Sequence, residues 1–314
     1  MSHGLLGFVV GQALQLDTNT QIILIISSVI LDIDGISIPR WEAYFQFHRG
    51  PLHSFLGAIL VSLLIGTVYA FLMRLPAKVF ISIVLICLGG SFSHIFLDLL
   101  TTGSRMAVLW PFSSKKVVFD ITHFFDPIFL GVLLLASVFI IYVKNDVRMI
   151  QIATIVAIVL LTVNFGVRLH CKREAAIETV KELNVDTDSK VVPFPTLRPD
   201  RWWVAVKTPF ENGYHYEIYS VDSIGNKILS HNSVKSPFID YCGLAKPTID
   251  SPQEAVAFSK RDGRVSAFIE KSRLPAVNVT LSDDGNAWQV FWYDIFTQLS
   301  EGVFRGITVK VEID

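Results

Sequence analysis

Hydrophobic residues in the first 170 positions come in long, nearly unbroken runs, whereas beyond position 200 they alternate with polar ones and are punctuated by turn signals. A bilayer core about 30 Å thick needs roughly 20 apolar helical residues. Four segments meet or approach that length: 52–73, 79–100, 127–143 and 149–167. They predict four transmembrane helices. Two earlier runs, 4–16 and 20–31, are too short to cross comfortably and are joined by the turn-like Asp17-Thr18-Asn19. A short N-terminal helical hairpin, re-entrant or tilted, is expected there. Whether it crosses or only dips, the hairpin returns the chain to its starting side. Parity then sends His3, the polar loop 32–51, the segment 101–126 and everything after 167 to one face. Only the short connections 74–78 and 144–148 remain opposite.

After the last span, 168–183 reads as a charged amphipathic helix, and 184–200, with Pro193, Pro195 and Pro199, reads as a linker. Seven β-type runs follow at 202–207, 214–221, 227–230, 265–270, 276–281, 288–293 and 306–312. They are separated by Asn-Gly, Ile-Gly-Asn, Arg-Asp-Gly and Asp-Asp-Gly turns. The expected architecture is an α-helical polytopic membrane domain followed by a small β-rich soluble domain. The predicted boundaries are 1–170 for the membrane-embedded domain, 171–200 for the amphipathic helix and linker, and 201–314 for the C-terminal domain.

Composition strengthens the membrane reading. Of 314 residues, 51% are hydrophobic and 18% charged, and the mean hydropathy is +0.49, too apolar for an ordinary soluble chain of this length. A net charge of -1 without a dense basic run argues against nucleic acid as a partner. Membrane lipids are the expected partner, and nothing in the sequence names a protein partner for the C-terminal domain. Cys87, Cys171 and Cys242 are odd in number and lack CxxC spacing, so neither a disulfide framework nor a cysteine metal site is indicated. The N-terminal apolar run has no basic region before it, which disfavours a cleaved signal, so His3 is expected to be retained. Basic residues on the motif side (Arg40, Arg49, Arg105, Lys115, Lys116, Arg168, Lys172, Arg173) outnumber those opposite (Arg74, Lys78, Lys144, Arg148), a slight lean toward a cytoplasmic motif face of an inner-membrane protein.

Against this apolar background a few polar groups stand out. His94 and Asp98 are i and i+4 on the predicted helix 79–100, so both project from one face of an apolar span, where an ionisable group is costly without a partner. That spacing suits two ligands to one cation, and equally an ordinary His-Asp pair. Asp32-Ile33-Asp34-Gly35 sets two carboxylates at a helix end with a glycine for the tight turn, which fits a divalent cation or a solvated helix stop. In His48-Arg49-Gly50-Pro51-Leu52-His53-Ser54, Pro51 suits a first helical turn and brings His48 and His53 to the membrane surface. Arg49 between them suits bidentate contact with a phosphoryl oxygen or with lipid phosphates. Asp126, before Pro127, is either an N-cap or a ligand.

Taken in order, Ser2-His3-Gly4, Asp32-Ile33-Asp34, His48-Arg49-Gly50-Pro51-Leu52-His53-Ser54, Ser93-His94-Ile95-Phe96-Leu97-Asp98 with Thr101-Thr102-Gly103, Trp110-Pro111-Phe112-Ser113 and Asp126-Pro127 resemble the membrane-bound metal-dependent hydrolase family, the YdjM/YbcI/YfhP group. The resemblance spans about residues 1–170. The family is distantly similar to zinc-dependent phospholipase C and P1 nuclease, which cleave phosphodiesters with clustered His and Asp ligands. The resemblance implies His3, Asp34, His53, His94 and Asp98 as first-choice ligands, with Asp32, His48 and Asp126 next. The chain departs from the family pattern at Gly35, where a histidine is usual, and at Leu52, where a threonine is usual. The implied cofactor is a divalent metal, zinc ahead of manganese or magnesium. The implied reaction is hydrolysis of a phosphate ester in a lipid or lipid-linked substrate, with Asp32 as proton acceptor and Arg49 on the phosphoryl oxygens. The rival expectation is a membrane-embedded metal-binding regulatory or scaffold protein without turnover.

Overall fold

A computed structural model describes residues 2–36, 48–210, 213–236, 249, 251–296 and 306–313. Arg40, the Asn212 turn position, Cys242 and the middle of the first polar loop lie outside the described residues. The chain forms two compact units that part between His170 and Cys171.

The first unit is helical. Helices α1 (Ser2–Ala13) and α2 (Thr18–Val29) make the N-terminal hairpin, and Asp17 caps α2 by accepting from the backbone N–H of Asn19 and Thr20. At 12 residues each, they rise about 18 Å, less than a bilayer core. A 3-10 turn at Ile30–Asp32 and one helical turn at Ile33–Ile36 continue from α2. A second 3-10 turn, Pro51–His53, leads into α3 (Phe55–Leu72), whose N-cap Ser54 accepts from Gly57 N at 2.9 Å. Helices α4 (Ala77–Leu100), α5 (Pro127–Tyr142) and α6 (Val147–Leu183) follow.

Among the described residues α3, α4 and α6 are long and apolar enough to cross a membrane, which corrects the expected count of four. Helix α5 has 16 residues, a rise of about 24 Å. Asp126 caps it at one end and Lys144-Asn145-Asp146 stops the apolar run at the other. The amphipathic helix expected from 168 is not a separate element: no proline interrupts the chain there, and α6 runs on unbroken to Leu183.

Small and hydroxylated residues allow the helices to approach closely, as is usual where lipid supplies no hydrophobic drive. Ser62 Oγ of α3 donates to Ser91 Oγ of α4 (3.1 Å), and Ser91 Oγ donates to the Ser27 carbonyl of α2 (3.3 Å). At Gly90 a Cβ would collide with Ser27 Oγ. Leu133, Ala136 and Ile140 of α5 pack with Ile150, Ala157 and Leu161 of α6 and with Val9 of α1.

The second unit is β-rich. Strands β1 (Lys190–Pro195), β2 (Arg201–Phe210), β3 (Gly213–Asp222) and β4 (Lys227–Ser236) form an antiparallel meander in that order. Strands β5 (Pro275–Leu281), β6 (Ala287–Asp294) and β7 (Gly306–Glu312) form a second antiparallel sheet. Helices α7 (Pro252–Ser259) and α8 (Gly263–Lys271) contribute Val256, Val265 and Phe268 to the core around Trp292. Two local expectations fail. The strand expected at 265–270 is the body of α8, because Asp262 accepts from Arg264 N (2.8 Å) as an N-cap and Val265 and Phe268 bury one helical face. Within the expected linker, β1 pairs with β2, because an edge strand tolerates Pro193 and Pro195.

Candidate metal centre

Four element ends supply the side chains. His3 lies in the first turn of α1, Asp32 and Asp34 follow α2, and His48, Arg49 and His53 precede α3. His94 and Asp98 sit on the last turns of α4. Pro51 starts the 3-10 turn that swings His53 inward, and Ser54 then caps α3. Arg49 takes φ 56°, a left-handed conformation that turns its side chain toward α4.

Four donors converge. His53 Nε2 and His94 Nε2 stand 3.3 Å apart. Asp32 Oδ1 is 3.5 and 3.4 Å from them, and Asp98 Oδ2 is 3.7 Å from each. Ligand atoms set tetrahedrally about a cation at about 2.0–2.1 Å are roughly 3.3–3.4 Å apart. The observed edges are near that spacing. His53 and His94 are fully buried, and buried Asp98 Oδ2 has no hydrogen-bond partner among the described residues. A buried carboxylate oxygen left without a donor is costly unless a cation sits beside it. His94 Nδ1 donates to the Ser28 carbonyl at 2.8 Å, which turns Nε2 toward the other three side-chain atoms. The structure thus holds an Asp-His cluster that could bind a metal ion.

A family model described as YdjM inner membrane protein matches residues 1–170. The chain belongs to the YdjM inner membrane protein family. No curated protein and no solved structure matches it. The family match covers the helical unit that carries the cluster and ends where the second unit begins.

Around the four donors this YdjM-family chain arranges a further layer. Asp34 Oδ1 accepts from His48 Nδ1 (2.8 Å), and Asp34 Oδ2 lies 3.4 Å from His53 Nδ1. Asp34, His48 and His53 form a second group with metal-ligand spacing, sharing His53 with the first. His3 stacks on His94 with ring centroids 4.0 Å apart and puts Nε2 3.5 Å from Asp98 Oδ1. Arg49 Nη2 meets the same oxygen at 3.1 Å, while its Nη1 donates to Ser104 O at 3.2 Å. A Cβ at Gly103 would stand 2.7 Å from Arg49 Nη1, so only glycine leaves the guanidinium its place.

Charge follows from these contacts. Burial acts to raise Asp32, but hydrogen bonds with His53 and His94 outweigh it and hold the carboxyl far below its ordinary range. Burial is likewise outweighed at Asp34, where His48 and His53 bring it to about 2. His53 is raised: burial acts to lower it, and its bonds to Asp32 and Asp34 prevail.

One sequence candidate is engaged elsewhere. Asp126 Oδ1 accepts from the backbone N–H of Ile128 (2.9 Å) and Phe129 (3.0 Å), and its Oδ2 lies 2.7 Å from Arg168 Nε. It is an N-cap and the partner of a fully buried arginine, outside both Asp-His groups. The sequence reading did not single out the Ser28 carbonyl or Ser104 as partners of the cluster. Backbone acceptors leave no side-chain signature that would have found them.

Proposed function

We propose that this membrane protein is a metal-dependent hydrolase acting on a phosphate ester of a lipid or lipid-linked substrate, with zinc as the favoured ion and manganese or magnesium as alternatives. The observation that carries the reading is the convergence of His53 Nε2, His94 Nε2, Asp98 Oδ2 and Asp32 Oδ1, with both histidine nitrogens 3.3–3.7 Å from each other and from the two carboxylate oxygens. His53, His94 and Asp98 are held by buried elements and make a two-histidine, one-carboxylate set, the composition of known hydrolytic zinc sites. A divalent cation there would lower the pKa of water toward about 7 and act as a Lewis acid on a phosphoryl oxygen. Asp32 differs from the other three: it lies on a 3-10 turn and its side chain is 38% exposed. That partial exposure suits Asp32 to take a proton and pass it to solvent in this reading. Arg49, anchored through Asp98 and Ser104, retains further N–H donors for phosphoryl oxygens. His48 and Asp34 orient His53 from behind.

Metal analysis of detergent-purified protein, run beside phosphodiester and phospholipid hydrolysis, tests this. Wild type is expected to hold metal and turn over an ester, and His94→Ala and Asp98→Ala to lose both. Full metal content and full activity in these variants would sink the proposal. Four protein donors around one point also favour a second reading, a closed structural site in a regulatory or scaffold protein. That reading expects metal-loaded protein that cleaves no ester and ligand substitutions that lower thermal stability alone.

A further inference from the structure

The segment 101–126 covers the end of the helical unit where the Asp-His cluster lies, and it is firmly tied there. Phe119 N donates to Leu99 O (2.7 Å), Phe55 N donates to Val108 O (2.9 Å), and Ser104 O receives Arg49. Its outer surface is strongly apolar for a connection. Leu109, Trp110, Phe112, Phe119, Phe124 and Phe125 are all exposed, Phe112 by 87% and Phe125 by 65%. An exposed apolar patch of this kind marks a surface that is covered in use.

Three observations identify what covers it. First, the charges of the segment separate by sign. Asp120 and Asp126 are buried, the former accepting from Thr102 Oγ1 (3.0 Å) and the latter paired with Arg168, while Lys115 is exposed and Lys116 and Arg105 are partly exposed. The outward charge is positive. Second, both ends of the segment join apolar helices, α4 at Leu100 and α5 at Pro127. Third, exposed Phe92 of α4 packs edge-to-face on exposed Phe55 with ring centroids 5.8 Å apart, and Phe55 is the residue whose backbone N–H bonds Val108 of the segment. Aromatic rings mixed with cations at the end of a membrane helix match the headgroup layer, where rings sit at the polar boundary and cations meet lipid phosphates.

We propose that 101–126 is an interfacial collar that lies in the headgroup layer and preferentially contacts anionic phospholipid. It would present lipid phosphates beside the Asp-His cluster, and in that respect it deepens the hydrolase reading. The collar itself does not depend on turnover, so its failure and the failure of that reading can be told apart.

The test uses the full chain in vesicles of phosphatidylcholine with a minor share of phosphatidylglycerol. Tryptophan fluorescence is compared between wild type and Trp110→Phe, so that the difference isolates Trp110 from the other tryptophans. Bromines placed on the acyl chains near the glycerol ester should quench Trp110 more than bromines near the chain ends, and aqueous iodide should barely reach it. Brominated phosphatidylglycerol should quench it about twofold more than brominated phosphatidylcholine at equal mole fraction, given the attraction of each lysine for anionic lipid. Lys115→Gln/Lys116→Gln should abolish that preference while leaving metal content unchanged. Trp110 open to iodide and untouched by bromine overturns the proposal in favour of a water-exposed loop. Trp110 shielded from both overturns it in favour of a surface covered by a second copy of this chain. Equal quenching by the two lipids overturns the anionic preference.

Discussion

At the scale of single residues, the two readings of the cluster separate at Asp32. If His53, His94 and Asp98 hold the ion and Asp32 handles the proton, Asp32→Ala should retain metal and lose turnover by about 10²–10⁴-fold, the range of general acid-base catalysis. Metal content and ester hydrolysis measured on the same preparation check this, and loss of metal in Asp32→Ala would count against the division of labour. His48→Ala removes the donor that fixes Asp34 behind His53. Metal affinity should fall about 10–100-fold without vanishing, and a competition titration with a chelator reads it. The pH dependence has a defined sign. Asp34 is lowered to about 2 from 3.8, so its stabilisation of the metal-free protein is complete above 3.8 and is lost as pH falls through about 2. His53 is raised above 6.5, so its contribution is complete below 6.5 and is lost as pH rises through the elevated value. Thermal melts of chelated protein should therefore peak between about pH 4 and 6.5. Added metal should stabilise increasingly above that window, where His53 gives up its proton to a ligand bond. The i, i+4 pair His94 and Asp98 was legible because ionisable groups inside an apolar helix are expensive. The ambiguity at Asp126 was not resolvable from sequence, because the same carboxylate before a proline serves as cap or ligand. Its partner Arg168 lies a helix away.

At the scale of elements, the packing of α2 against α4 makes a second kind of prediction. Gly90 abuts Ser27 Oγ and lies 2.9 Å, by its missing Cβ, from the Leu24 carbonyl. Gly90→Val would force these helices apart, and α4 carries His94 one turn further on. Overpacking of this kind typically costs about 1–3 kcal/mol, so a lower Tm with weakened metal binding is expected, whereas Gly89→Ala, which meets nothing within 4 Å, should leave both unchanged. The long spans were legible by length, since apolarity sustained over a bilayer's thickness is seldom found in a chain that folds in water. Boundaries were less so. Helix α5 fell short because its apolar run is fixed by Asp126 and Lys144. In the second unit the alternation of β2, β3, β5, β6 and β7 was readable, while Val265 and Phe268 carry a helical i, i+3 spacing that a short window confuses with a strand. The prolines of β1 looked like punctuation because nothing local tells an edge strand from a linker.

At the scale of the whole molecule, the apolar helices fix which chain segments share a membrane face. Asp126 at the start of α5 pairs with Arg168 of α6, and Ile140 packs near Ile150 at their other end, so α5 and α6 run antiparallel along their length. Thr101, just after the His94 and Asp98 helix, bridges Thr122. The Arg168 end of α6 and the cluster therefore belong to the same end of the helical unit, with the connections 74–76 and 143–146 at the other. Two of the basic residues on the cluster side, Arg49 and Arg168, are buried against Asp98 and Asp126. Discounting them leaves Arg105, Lys115, Lys116, Lys172 and Arg173 on the cluster side, with Arg40 outside the described residues, against Arg74, Lys78, Lys144 and Arg148. By count alone, five basic residues against four, the expectation is a cytoplasmic cluster face, and a pair of reporters tests it. A green fluorescent protein fused after Asp314 should accordingly fluoresce, and the same reporter inserted between Lys144 and Asn145 should stay dark. The reverse pair of outcomes would keep the shared face but invert it, leaving the cluster to act on lipids of the outer leaflet. Fluorescence from both positions would mean that the α5–α6 connection never reaches the far side, and that the 16 residues of α5 dip into the bilayer without crossing it.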